Sequence, residues 1–73
     1  MPGALEFDVF GQIMVAERSG DGWRLFVLGN EGKRSPSGVA VPEFIHEHEL
    51  AQYLDDLFHE MATRDHPRVV PIP

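Results

Sequence analysis

The chain has no cysteine. A disulfide framework and thiolate metal sites are therefore excluded. The absence fits a reducing compartment, and a cytoplasmic location is expected. Basic residues are scarce: 6 Lys and Arg stand against 12 Asp and Glu, for a net charge of −6. Nucleic-acid binding needs clustered Lys and Arg to displace counterions from phosphates. Arg18, Arg24, Lys33 and Arg34 share one stretch, but Glu17, Asp21 and Glu31 lie among them. No nucleic-acid partner is expected, and the same electrostatics disfavour an anionic membrane surface. Long apolar runs are also missing, and nothing approaches the ~20 residues that span a bilayer. The opening residues lack a basic start followed by an apolar run, so no signal peptide is read there.

Length sets the next bound. A chain of 73 residues is one domain, 1–73. A domain this short buries only about 60% of the surface that its unfolded form exposes. Its core supplies roughly 3–5 kcal/mol without further support. With disulfides and thiolate metals excluded, a partner subunit is one of the supports left.

Two periods divide what is present. Residues Leu5 to Leu28 alternate like β-strands between glycine-rich turns, and Glu47 to Thr63 repeat every three to four residues like an amphipathic helix. Between Pro42 and Thr63 there are six acidic residues and no Lys or Arg. The strands are predicted at about 5–10, 13–18 and 23–28. Gly11-Gln12 suits a type II′ hairpin turn, because glycine reaches positive φ without a Cβ clash. That turn sets Phe10 opposite Ile13, Val9 opposite Met14 and Phe7 opposite Ala16. One long strand bulged at Gly11 is the rival reading. Ser19-Gly20-Asp21-Gly22 forms the second turn. It places Arg18 opposite Trp23, Glu17 opposite Arg24 and Ala16 opposite Leu25. The opposite signs of Glu17 and Arg24 support that register, whereas Glu6 then meets Glu17 in mild repulsion.

This register sorts the side chains. One face carries Leu5, Phe7, Val9, Met14, Ala16, Trp23, Leu25 and Val27, and is expected to meet the helix. The other carries Glu6, Asp8, Glu17 and Arg24 toward one end, and Phe10, Ile13, Val15, Phe26 and Leu28 toward the other. One helix cannot cover both faces of a sheet, so the second apolar cluster needs its own cover.

Gly29-Asn30-Glu31-Gly32 ends the third strand, Lys33 to Gly38 forms a polar loop, and Val39-Ala40-Val41 could add a short edge strand. The helix is predicted over about 46–63. Leu50, Tyr53, Leu54, Leu57, Phe58 and Met61 form its apolar stripe. Acids at Glu47 and Glu49 suit its positive end, and Pro67 blocks continuation. The tail, 64–73, could lie along an edge or over the second cluster.

Chemical motifs are weak. His48, Asp55 and His59 share one polar helical stripe, and imidazole with carboxylate at that spacing can hold a metal or a proton. A solvated face is the plainer reading, so no metal is assigned. His59-Glu60 opens like a zinc-protease motif, but the second His is replaced by Thr63. Gly29 to Ser35 departs from a phosphate loop in its glycine spacing and in Arg34 following Lys33. The adjacent carboxylates of Asp55 and Asp56 point about 100° apart on a helix and do not converge as an acid/base pair. No serine stands in a nucleophile-elbow context. No catalytic residue and no cofactor are assigned. Trp23 reads as a core residue, with an exposed partner anchor as the alternative. The basic pair Lys33-Arg34 could dock an acidic surface.

Two segments together are informative. Phe7-Asp8-Val9-Phe10-Gly11 leads through Gly22-Trp23-Arg24 to Leu28-Gly29-Asn30-Glu31-Gly32-Lys33-Arg34. Glu49 to Glu60 (Glu-Leu-Ala-Gln-Tyr-Leu-Asp-Asp-Leu-Phe-His-Glu) is followed by Ala62-Thr63 and His66-Pro67. This pattern resembles a group of small bacterial proteins of unknown function, and it covers most of the chain. The resemblance implies a bacterial, free-standing domain and carries no catalytic or binding residue.

The expected fold is α+β: an antiparallel sheet of three strands, with 39–41 as an optional fourth, and one amphipathic C-terminal helix on one face. The expected function is a non-enzymatic protein-interaction domain that self-associates through Phe10, Ile13, Val15, Phe26 and Leu28. The alternatives are a small metal- or ligand-binding protein using His48, Asp55 and His59, and an acidic regulator docking a basic partner surface.

Overall fold

The structure is a computed structural model and describes residues 4–20, 22–29 and 31–73. Four strands follow in sequence: β1 (Ala4–Val9), β2 (Gln12–Ser19), β3 (Gly22–Leu28) and β4 (Arg34–Pro42). A 3-10 turn at Glu47–Glu49 leads into helix α1 (Leu50–Leu57), a second 3-10 turn covers His59–Met61, and β5 (Val69–Ile72) closes the chain. All five strands pair antiparallel in the order β4-β3-β2-β1-β5. The helical segment carries the chain back across one face, so that the last strand lies beside the first. Five strands replace the predicted three or four.

The alternation of apolar residues decides the faces. Phe7, Val9, Met14, Ala16, Trp23 and Leu25 are buried together with Leu50 and Leu54 of α1. Trp23 is a core residue. Its Nε1–H donates to the Ile45 carbonyl at 2.9 Å, which satisfies the one polar group a buried indole brings. The guanidinium of Arg18 stands 4.8 Å from the same ring.

The chain does reverse at Gly11, but the two-residue loop is Phe10-Gly11, one position earlier than expected. Both residues have positive φ, 52° and 94°, as a type I′ turn requires. Positive φ is uncommon for a bulky residue. Here it turns the Phe10 ring into the main core, and the Gly11 N–H donates to Asp8 Oδ1 at 2.7 Å. The register moves with the turn: Phe7 stands opposite Met14 and Glu6 opposite Val15. The expected Glu6–Glu17 repulsion is thereby removed. The offset is two residues, and an even offset leaves the side chains of β1 and β2 on their expected faces; Phe10, now in the turn, is the exception.

The β2–β3 register is as expected, with Arg18 opposite Trp23 and Glu17 opposite Arg24, and it extends to Ser19 opposite Gly22. Asp21, in that turn, and Asn30, in the turn after β3, lie outside the described residues. Gly22 has φ 129°, and a Cβ there would fall 2.1 Å from the Val41 carbonyl oxygen. Only glycine lets the end of β4 pass this close. The predicted 39–41 strand is nine residues long, Arg34–Pro42. It is interrupted where Ser37, Gly38 and Val39 stand opposite Leu25 alone.

The helix is shorter than the predicted 46–63. Its entry is a 3-10 turn in which the His46 N–H donates to Glu49 Oε1 at 2.9 Å. At its other end Met61 N–H bonds the Phe58 carbonyl at 2.8 Å, and Ala62 is already extended. The apolar stripe is consequently uneven: Leu50 and Leu54 are buried, whereas Leu57 and Met61 are each 45% exposed. The tail adds a strand to the edge and lies in the plane of the sheet. Val69 faces the core, and its N–H donates to Asp55 Oδ2 at 3.1 Å, tying α1 to β5. Among the described residues no helix is long and apolar enough to cross a membrane.

Candidate interaction surface

The helical segment covers one face of the sheet. The opposite face is built by the side chains that alternate out of the core, and beyond the Ser19–Gly22–Pro42 end the strand pairings order them in three rows. Ala4, Glu17, Arg24 and Ala40 cross β1 to β4 in the first row. Ile72, Glu6, Val15, Phe26 and Pro36 make the middle row, starting from β5. Val70, Asp8, Ile13, Leu28 and Arg34 make the third; there Asp8 pairs with Ile13 and Leu28 with Arg34.

Four of the five expected interface residues come together here. Ile13, Val15, Phe26 and Leu28 fill adjacent positions on the two inner strands β2 and β3. Val15 is only 6% exposed, between Glu6 and Phe26 in its row, whereas Ile13, Phe26 and Leu28 are half-buried. Phe10 does not join them, because the type I′ turn sends its ring to the other side. Val70 and Ile72 do join the face, and sequence reasoning missed them. The alternation of Val69 inward and Val70 outward was the available signal, obscured by Pro71 and Pro73.

The charges on this face are sorted by strand. Acids sit on β1 and β2 (Glu6, Asp8, Glu17), and bases on β3 and β4 (Arg24, Arg34). Arg34 Nη2 donates to Glu17 Oε2 at 3.0 Å, and its guanidinium lies 4.2 Å from the Phe26 ring centroid. Such contacts are individually weak at an exposed site, yet they place a cation over the largest apolar side chain of the face. Lys33 lies apart from this arrangement: its carbonyl accepts the Gly29 N–H at 2.9 Å in the hairpin turn. No helix follows that turn, so it has none of the architecture of a phosphate loop.

The polar stripe His48, Asp55, His59 is dispersed. His48 belongs to the first 3-10 turn and stacks on His46 with ring centroids 5.7 Å apart, His59 belongs to the second turn, and Asp55 is engaged with Val69. The neighbouring Asp56 accepts a hydrogen bond from Gln52 Nε2 at 3.0 Å. Among the described residues no three His, Cys, Asp or Glu side chains gather to hold a metal ion. A shallow groove of about 260 Å³ runs between β1, β5 and the start of α1, lined by Leu5, Phe7, His48, Ala51 and Pro71 among others.

Neither the curated proteins nor the solved structures contain a match to this chain. One family does match, over residues 4–73 and therefore over nearly the whole length. The chain belongs to the family described as Domain of unknown function (DUF7661).

Proposed function

We propose that the chain is a non-enzymatic interaction domain that associates with a second copy of itself through the open face of its sheet. The observation that carries this reading is the position of the tail. Residues 69–72 extend the sheet at its β1 edge, and among the described residues no second layer lies over Ile13, Val15, Phe26 and Leu28. A sheet with two apolar surfaces is stable as a sandwich of layers, and the half-buried Ile13, Phe26 and Leu28 around Val15 make a contiguous apolar surface of the kind that marks interfaces. A small core gains the most from such a partner.

Sedimentation across the micromolar range is the direct test, and a concentration-dependent dimer is expected. Phe26→Asp puts a charge at the centre of the face and should give a monomer with an unchanged far-ultraviolet circular dichroism spectrum. A wild-type protein that stays monomeric at the highest soluble concentration would overturn the reading.

A further inference from the structure

The sorting of charge by strand fixes how two copies can meet. We propose that the domain forms a face-to-face dimer whose two-fold axis runs parallel to the strands, between β2 and β3, so that the acidic side of each sheet lies on the basic side of the other. This rests on the self-association proposed above and specifies its geometry.

Two sheets stacked face to face and related by a two-fold axis have that axis in the plane between them. An axis along the strands keeps each row on itself and reverses the strand order. With the axis between β2 and β3, β1 then lies over the partner's β4, and β2 over the partner's β3. In the third row Asp8 faces the partner's Arg34 and Ile13 faces the partner's Leu28. In the middle row Val15 faces the partner's Phe26 and Glu6 faces the partner's Pro36. In the first row Glu17 faces the partner's Arg24. Each pair occurs twice by symmetry. Every apolar residue of the inner strands meets an apolar residue, and no like charges meet. Sandwiched sheets stay within about 30° of alignment, so the match is closest at the centre of the face.

The other arrangements fail on the same register. An axis perpendicular to the strands, through the middle row, stacks Glu6 on its own copy and lays Ile13 against Glu17 and Leu28 against Arg24. An axis parallel to the strands but moved to β2 stacks Glu17 on its own copy and lays Phe26 and Leu28 against Glu6 and Asp8. Like charges and desolvated charge against apolar surface disfavour both. Pairing edge to edge is blunted by Pro36 and the interruption at Ser37–Val39 in β4, and by Pro71 in β5.

The chosen arrangement also accounts for Arg34. Alone, the chain holds Arg34 on Glu17 and over Phe26. In the dimer Phe26 is covered by the partner's Val15, Arg34 turns to the partner's Asp8, and Glu17 takes the partner's Arg24. Asp8 commits one carboxylate oxygen to Gly11, and among the described residues the other accepts no hydrogen bond. An exposed ion pair is exchanged for others across the interface, so the exchange costs little.

The absence of cysteine makes crosslinking decisive. Glu6→Cys and Pro36→Cys each place one thiol on an exposed position of the middle row. Packed sheets stand ~10 Å apart, too far for an unstrained disulfide, so a short bis-maleimide is the reagent. Mixed one to one, the two variants should give a covalent dimer, and either alone should give severalfold less. Covalent dimer from Glu6→Cys alone would overturn the parallel axis in favour of the perpendicular one. A dimer by sedimentation with no crosslink in any combination would overturn the proposal as well. A monomer by sedimentation would instead remove the self-association on which the proposal rests.

Discussion

The two faces of the sheet come from the same strands and the same alternation, yet they are built differently. On the helix face the strands outside the central pair contribute apolar residues as that pair does: Val69 from β5, Phe7 and Val9 from β1, Val41 from β4. On the open face the two central strands β2 and β3 are apolar in the middle and third rows, and β1 and β4 beside them bring Glu6, Asp8 and Arg34. The first pattern suits a permanent cover supplied by the chain itself, and the second suits a cover that is added later and must be oriented. An apolar centre with a charged rim is the anatomy of a surface that binds.

Truncation of one leucine on each face tests this difference most sharply. Leu54 is fully buried under the sheet, and Leu54→Ala should cost about 2–5 kcal/mol by cavity formation. That is comparable with the whole stability of a domain this small, so cooperative thermal unfolding should be lost or moved far down. Leu28→Ala, in the apolar cluster of the open face, should lower the melting temperature of the dilute monomer by only a few degrees and weaken the dimer about tenfold or more. Equal destabilisation of the monomer by both substitutions would mean that the faces are not different in kind.

A smaller effect should separate the last strand from the rest. Among the described strands β5 pairs only with β1, and Asp55 holds its first residue through the Val69 N–H. Asp55→Ala leaves that donor without its partner, at about 1–2 kcal/mol. Native-state hydrogen exchange should show the loss in β5 and along its pairing with β1, with little change between β2 and β3. A uniform loss of protection would show that β5 is part of the global folding unit.

How far these features were legible in the sequence follows from what each depends on. The faces were legible because alternation is local, and an even register offset preserves them. The β2–β3 pairing was legible from the Glu17–Arg24 signs. The turn at Phe10-Gly11 was not, because a Phe at positive φ is favourable only once its ring has a core to enter, a fact of tertiary packing. The nine-residue β4 was hidden by Pro36 and Gly38, and β5 by Pro71; both are edge strands, where an absent N–H need not break the ladder. The helix ran short because the chain must leave it in time to lay β5 beside β1. That exposes Leu57 and Met61, which a periodic reading places inside. The apolar candidates Ile13, Val15, Phe26 and Leu28 were legible, but the separation of acid from base was not, since it requires the order β4-β3-β2-β1.

The smallest effect on stability belongs to Arg34, and its sign on association is the most informative. The ion pair with Glu17 is exposed and worth about 0–1 kcal/mol, and a cation over an exposed ring adds about 0.5–1 kcal/mol at most. Arg34→Ala should therefore lower the monomer's melting temperature only slightly. Two roles for the guanidinium then diverge. If it acts solely as a polar cover for Phe26, removing it bares the ring and association becomes tighter. If it crosses to the partner's Asp8, removing it leaves two acids facing no cation in each dimer, and association becomes weaker. The strand-sorted charges require the second outcome, with a several-fold rise in the dimer dissociation constant by sedimentation. A tighter dimer would identify Arg34 as a shield and remove Asp8 from the interface.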